Sequence, residues 1–302
     1  MRRWVTAALA GADLVAGRAA TWLPGAMAWS LTVGWIPLLV AVAWPPSVSE
    51  LTFLGARIYS SGAWPWNAVA IGAVALVVAA VGFVLVTVAE AVLVRASLRR
   101  APEAGGLARL LGIGLVTAAP VLATLLAAAT AFVLVAVREF NAPDAGGPLL
   151  RSLGRITPFL VAVGVAWLVA GAAHAAASRA ALLDGAALVD ALAAVPRRLR
   201  GAGRPGFVQA IAVPLLRVAY LVAATLLLSV LWDPIAGRLE GGGLDATMLP
   251  LLVGFVAIWL CLVLGGGALH AWGSVTWTKV LGTLASGRGG AERRPHGDPH
   301  RP

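Results

Sequence analysis

Four ionisable residues fall inside long apolar stretches of the chain: Glu90, His174, His270, and Arg217 within Val213-Pro214-Leu215-Leu216-Arg217-Val218-Ala219-Tyr220. A charge in hydrocarbon costs at least ~2.5–3.5 kcal/mol on insertion scales, so such residues are candidate binding or proton-handling groups. Arg217 lies deep in its segment. Glu90 lies near the end of its own, at a depth Arg217 can reach by pointing toward that end. An ion pair between Glu90 and Arg217 is the first expectation; separate snorkelling of each side chain to the headgroups is its alternative. His174 and His270 occupy similar heights on their segments, and with Glu90 they have the residue types of a proton-responsive cluster. The same trio offers metal-ligand types, but no metal site is expected, because backbone-bonded histidines are commoner.

Helix breaks mark binding sites in many transporters, since freed backbone groups can line a cavity. Pro120, Pro214 and the triplet Gly265, Gly266, Gly267 are the candidate breaks, with Pro214 the most suggestive because it precedes Arg217 by less than one turn. Close helix packing is the favoured reading of the glycines, supported by the small-residue pairs Gly171/Ala175 and Gly267/Ala271. Other motifs fail. Gly112-Ile113-Gly114 lacks the third glycine and preceding strand of a dinucleotide fingerprint, and no Walker sequence occurs. Paired carboxylates and nucleophile triads are not evident, so no catalytic residue, enzyme activity or cofactor is expected. Cys261 is the only cysteine, which excludes an intramolecular disulfide and a cysteine-based zinc site. His296 and His300 are interrupted by Pro295 and Pro299 and do not read as a metal site.

The elements that must hold these residues are membrane spans. Hydrophobic residues make up 60% of the 302 and charged residues 12%, about half the charged share of soluble domains. Six stretches, near 24–44, 66–94, 109–137, 155–178, 207–233 and 247–273, are long and apolar enough to cross a bilayer. The expected fold is therefore an all-α polytopic membrane protein with six transmembrane helices, spanning 24–283. A cytoplasmic amphipathic segment covers 1–23, and a disordered basic cytoplasmic tail covers 284–302. The short apolar run after Arg2 and Arg3 is followed at once by Asp13 and Arg18, so cleavage as a signal peptide is not expected.

The net charge of +10 resembles a nucleic-acid signal until the arginines are located. They lie almost wholly between the spans and at the chain ends, and no nucleic-acid partner is expected. Of the 23 Lys and Arg, 17 fall in the N-terminal segment, the loops after spans two and four, and the tail; 5 fall in the remaining loops. The positive-inside rule then places both termini in the cytoplasm, in a multi-pass plasma-membrane protein. Trp44, Trp64, Trp66 and Trp232 fall at the outer boundary and Trp22, Trp272 and Trp277 at the inner one, where amphipathic rings prefer the headgroup layer.

Two amphipathic segments lie outside the spans. Trp4, Val15 and Trp22 project to one side of an N-terminal helix, with Arg2, Thr6 and Asp13 opposite. Leu188, Leu192, Val195 and Leu199 line one face of an interfacial helix over 184–199, with Asp184 as its N-cap, arginines near its C-terminus and Pro196 bending or ending it. Spans two and four also end alike, Glu90 preceding Arg95 as His174 precedes Arg179, and span six repeats the pattern with His270 but without the arginine. The pattern suggests three related units.

The stretch Ser178-Arg179-Ala180-Ala181-Leu182-Leu183-Asp184-Gly185-Ala186-Ala187-Leu188-Val189-Asp190-Ala191-Leu192, joining two spans through an amphipathic helix, resembles the bacterial six-span domains related to the membrane domain of glycerophosphodiester phosphodiesterases. The resemblance implies a membrane fold. It transfers no catalytic residue, because those domains occur without a catalytic domain.

The leading functional expectation is a non-enzymatic integral membrane protein that organises lipid or a partner complex at the cytoplasmic face. Its expected partners are the bilayer, anionic headgroups contacted by cytoplasmic arginines, and a membrane-protein partner or a second copy. The alternative is a small-molecule or lipid permease whose intramembrane site is built from Arg217, Glu90, His174 and His270.

Overall fold

The computed structural model describes residues 2–43, 53, 56, 57, 59–97, 106–140, 148–240 and 248–289. Trp44, His296, His300 and the tail from residue 290 lie outside the described residues. The architecture is all-α, with no strand among the described residues: α1 (Arg2–Ala16), α2 (Trp22–Trp29), α3 (Ile36–Ala43), α4 (Trp66–Ser97), α5 (Gly106–Phe140), α6 (Pro148–Leu183), α7 (Leu188–Ala193), α8 (Val195–Glu240) and α9 (Met248–Gly289). Within α4, α5, α6, α8 and α9 lie five stretches long and apolar enough to cross a membrane. The segments Ala19–Gly34 and Ile36–Val42, bent by 46°, bring the number to six when the bent pair is counted as one span.

This is a multi-span membrane protein turned outward for hydrocarbon. Leu76, Val78, Leu126 and Val169 are each more than 60% exposed, while the interior is lined by Ala89, Ala91, Ala175, Ala176, Ala177 and Ala180. Lipid tails reward outward Leu and Val as well as a core would, and small inward residues let helices approach closely.

The chain forms two compact units. The first comprises the described residues within Met1–Leu9, Arg100–Pro214 and Thr276–Pro302. Its centre is the α5–α6 hairpin, against which α7 lays Leu188 and Ala191 beside Ile113, Ala177 and Ala180. A second apolar cluster joins Ala175, Ala176, Ala202, Trp277 and Leu281, with Trp4 and Leu199 at its edge. Trp4 Nε1 donates to Oε1 of the fully buried Gln209 at 2.8 Å, which ties the start of α1 to α8. The helix expected over 184–199 is divided. After α6 the chain bends through Asp184–Ala187, α7 runs only to Ala193, and α8 begins at Val195. Asp184 pairs with Arg198 instead of capping a helix, and the α7 N-cap is Ala187. Pro196, lacking an N–H, suits the first turn of α8, where no intrahelical donor is needed. The break in α8 comes at Gly203, with φ 55° and ψ −143°, a conformation that side-chain-bearing residues rarely adopt.

The second unit comprises the described residues within Ala10–Arg99 and Leu215–Val275. Here α2 packs on α4, and Leu93 of α4 meets Val15, Ala271 and Val275. Further along, Ala41 of α3, Leu228 and Ile235 of α8, and Met248 and Phe255 of α9 form a core, with the Trp232 and Phe255 rings 5.3 Å apart. The helix α9 continues through residues 284–289, where a disordered tail is expected from sequence; buried Val280 and Leu281 anchor the turn before it.

Candidate functional site

Three spans of the second unit each bring one ionisable side chain to the same place. From α4, Glu90 points to α9: its Oε2 lies 3.5 Å from His270 Nε2, and its Oε1 accepts from Ser274 Oγ at 2.8 Å. His270 and Ser274 are four residues apart and so share one helix face, which is why a single carboxylate meets both. From α8, Arg217 Nη2 donates to the backbone oxygen of His270 at 3.4 Å. The Glu90 and His270 side chains are 15% and 12% exposed, so this is a largely desolvated arrangement within membrane-spanning helices. The carboxylate is therefore buried with a titratable partner and a hydroxyl donor, and the guanidinium is held at the same turn of α9.

Small residues make that turn approachable. A Cβ on Gly267 would fall on the backbone of Ala26, whose Cα would be 2.5 Å away, and one on Gly266 would overlap Trp29. One on Gly265 would meet Tyr220 Oη at 2.5 Å. The glycine triplet is thus a contact surface for α2 and α8 and not a break: α9 runs through it as one helix. Pro214 likewise sits in α8 with helical dihedrals around it, as prolines do in membrane helices whose freed carbonyls find other donors. The close packing favoured for the glycines is what the structure shows, and the break expected at Pro214 is corrected.

Comparisons with protein-family models, curated proteins and solved structures return no match. The site therefore stands on its own geometry.

The break that the structure does show is in the first span. Ser30–Gly34 is π-helical, and the chain bends at Trp35 before α3. Pro37 explains it: a proline has no N–H to return to the carbonyl one turn earlier, and it disfavours helix at the residue before it. Within the bend, the Thr32 hydroxyl donates to Ala28 O at 2.7 Å. Immediately before the π-helical turn, Trp29 is buried at 2% exposure and meets Tyr220 edge to face, the ring centroids 5.7 Å apart. Tyr220 donates to Leu262 O at 2.7 Å and lies three positions after Arg217, on the neighbouring turn of α8. Wide turns of this kind recur at functional sites in helices.

His174 belongs to the first unit, where its Nδ1 lies 3.3 Å from Thr117 Oγ1. Thr117 Oγ1 also donates to Ile113 O at 2.7 Å. Of the four candidates, Glu90, His270 and Arg217 are brought together and His174 has a hydroxyl neighbour of its own. Among the described residues no group of three His, Cys, Asp or Glu side chains gathers as metal ligands.

Several polar residues of this architecture escape the sequence reading. Ser274 was detectable, one helical turn from His270. In the first unit, Glu139 at the end of α5 takes Arg151 Nε at 2.8 Å and Arg155 Nη2 at 2.9 Å from α6. Arg179, 1% exposed, donates from Nε to Thr278 Oγ1 at 3.3 Å and from Nη1 to Ser178 Oγ at 3.0 Å.

Proposed function

We propose that the chain is a permease for a small molecule or lipid, non-enzymatic, with Glu90, His270 and Arg217 at its site. The observation that carries this reading is their convergence from α4, α9 and α8 within a membrane-spanning unit, beside a first span that is broken. Intramembrane ionisable groups are costly, and discontinuous spans line the substrate sites of many transporters. A scaffold that organises lipid or a partner complex at the cytoplasmic face, the reading that composition favours, draws no support from such a cluster. Both termini belong in the cytoplasm on the arginine distribution, and the exposed Arg95, Arg197, Arg200 and Arg204 suit anionic headgroups there.

Native mass spectrometry of protein released from lipid nanodiscs tests the reading, comparing wild type with Arg217→Leu. The expected outcome is a co-purifying species in wild type that the variant loses. Identical spectra, with or without an adduct, would overturn a transport site at Arg217.

A further inference from the structure

The end of the α5–α6 hairpin is richer in arginine than its side of the membrane should be. Residues 138–155 hold five ionisable side chains, Arg138, Glu139, Asp144, Arg151 and Arg155, with a net charge of +1. On the arginine distribution that places both termini in the cytoplasm, this end faces outward, the side that the positive-inside rule leaves poor in arginine. Of the 5 arginines assigned to that side, Arg138, Arg151 and Arg155 are gathered here.

Two of them meet one carboxylate. Glu139, 5% exposed, takes Arg151 Nε at 2.8 Å and Arg155 Nη2 at 2.9 Å. The arms are unequal: the Arg151 side chain is 31% exposed and that of Arg155 64%. Glu139 Oε1 anchors a single nitrogen of the Arg155 guanidinium, a group with five N–H donors in a planar fork. Most of that fork is open to the surroundings of the helix.

Its depth says what those surroundings are. Residues 156–173 of α6 contain no ionisable side chain and make ~27 Å of helix, close to the ~30 Å hydrocarbon core, so Arg155 stands where acyl chains give way to headgroups. Phe159, one turn deeper on the same helix face, is 42% exposed, and Leu160 beside it is 47% exposed. An open guanidinium thus sits directly above an open apolar surface, the order in which a phospholipid presents its phosphate and its chains. Arginine's fork matches two phosphate oxygens at once, and an anionic lipid offsets the net charge of this end.

We infer that this end of the hairpin binds one anionic phospholipid of the outward leaflet, its phosphate on Arg155 and an acyl chain along Phe159 and Leu160. Clamp and lipid use different donors of one guanidinium, so the lipid adds to the clamp and does not displace it. The inference is separate from the permease reading, whose residues belong to the other unit.

Phosphatidylglycerol is the probe, with phosphatidylcholine as its zwitterionic comparison. Full-length protein stripped of lipid in detergent is titrated with each, and the adducts are read by native mass spectrometry. Wild type should hold one phosphatidylglycerol at least fivefold more tightly than phosphatidylcholine. Arg155→Ala should abolish that preference. Arg155→Lys, which keeps a charge beside Glu139 but not the fork, should retain less than half of it, and guards against an Arg155→Ala variant that fails to fold. Arg57→Ala, which removes an exposed outward arginine from another loop, and Arg217→Leu should both keep the full preference. Equal binding of the two lipids by wild type, or a preference that survives both Arg155 variants, would overturn the inference. Loss in Arg57→Ala as well would reduce the effect to general charge attraction and overturn the site. Displacement of phosphatidylglycerol by millimolar inorganic phosphate would overturn the lipid in favour of a free anion.

Discussion

Glu139 and Glu90 are both carboxylates withdrawn from solvent, 6% and 15% exposed, yet they are neutralised in opposite ways. Glu139 is gripped by two guanidiniums, Arg151 at 2.8 Å and Arg155 at 2.9 Å. Arginine does not titrate in any accessible range, so that clamp is permanent and fastens the end of the α5–α6 hairpin. Glu90 faces an imidazole and a serine hydroxyl, partners whose charge or hydrogen position can change. The difference teaches where this molecule keeps its options. One unit holds a fixed staple, and the other holds a carboxylate beside a titratable imidazole.

The largest effect should come from Gly267→Ala. The new methyl would fall on the Ala26 backbone, with Cα at 2.5 Å and Cβ at 2.9 Å, and backbone cannot rotate aside as a flexible side chain can. Overpacking of this kind costs about 3 kcal/mol. Because Gly267 is one turn from His270, the variant should also disturb the Glu90–His270 pair. Thermal unfolding in detergent should show the loss. Crosslinking between cysteines placed on α5 and α6 should show the Glu139 clamp unchanged. A stability equal to wild type would mean that α2 and α9 do not meet as closely as described.

Glu139→Gln comes next. It keeps the shape and removes the charge, leaving two guanidiniums around a neutral amide at a position only 5% exposed. Stranding charge beside a buried group costs ~3–5 kcal/mol in full burial, but here the arginines are partly solvated and about 2 kcal/mol is expected. The loss should be the same from pH 6 to pH 9, because neither arginine changes charge there. A loss that varied strongly across this range would erase the contrast with Glu90.

The contrast also shows what could be read from the chain. The spans were legible because their apolar runs are long and the bilayer's thickness fixes the length required. Glu90, Arg217 and His270 could be assigned to spans for the same reason, and the structure puts His270 Nε2 3.5 Å from Glu90 Oε2. Azimuth was not legible. A residue's height along a span follows from counting, but which neighbour it faces depends on packing, so His174 was grouped with His270 by height and is found beside Thr117. Breaks were misplaced for a related reason. Pro214 and the glycine triplet stand out in the sequence, yet α8 and α9 stay helical through them; Pro37, near the end of its apolar run, drew no attention and accounts for the bend at Trp35. The Glu139 clamp was missed because Arg151 and Arg155 were counted only as loop charge.

The smallest effect separates the two arms of that clamp. Arg155 is 64% exposed and Arg151 is 31% exposed, so water already solvates most of the first guanidinium. Exposed pairs contribute ~0.2–1 kcal/mol, and Arg155→Ala should therefore cost no more than about 0.5 kcal/mol. Arg151→Ala should cost about 1.5 kcal/mol, since its Nε–H bond to Glu139 Oε2 is charge-assisted and better shielded. Melting curves of both single variants and the double variant measure the split. If the double loss equals the sum of the single losses, the two arms act independently and Glu139 is neutralised chiefly by Arg151. A double loss larger than the sum means that either arginine alone suffices. In that case the staple holds a reserve of charge, and losing one arm leaves Glu139 neutralised by the other.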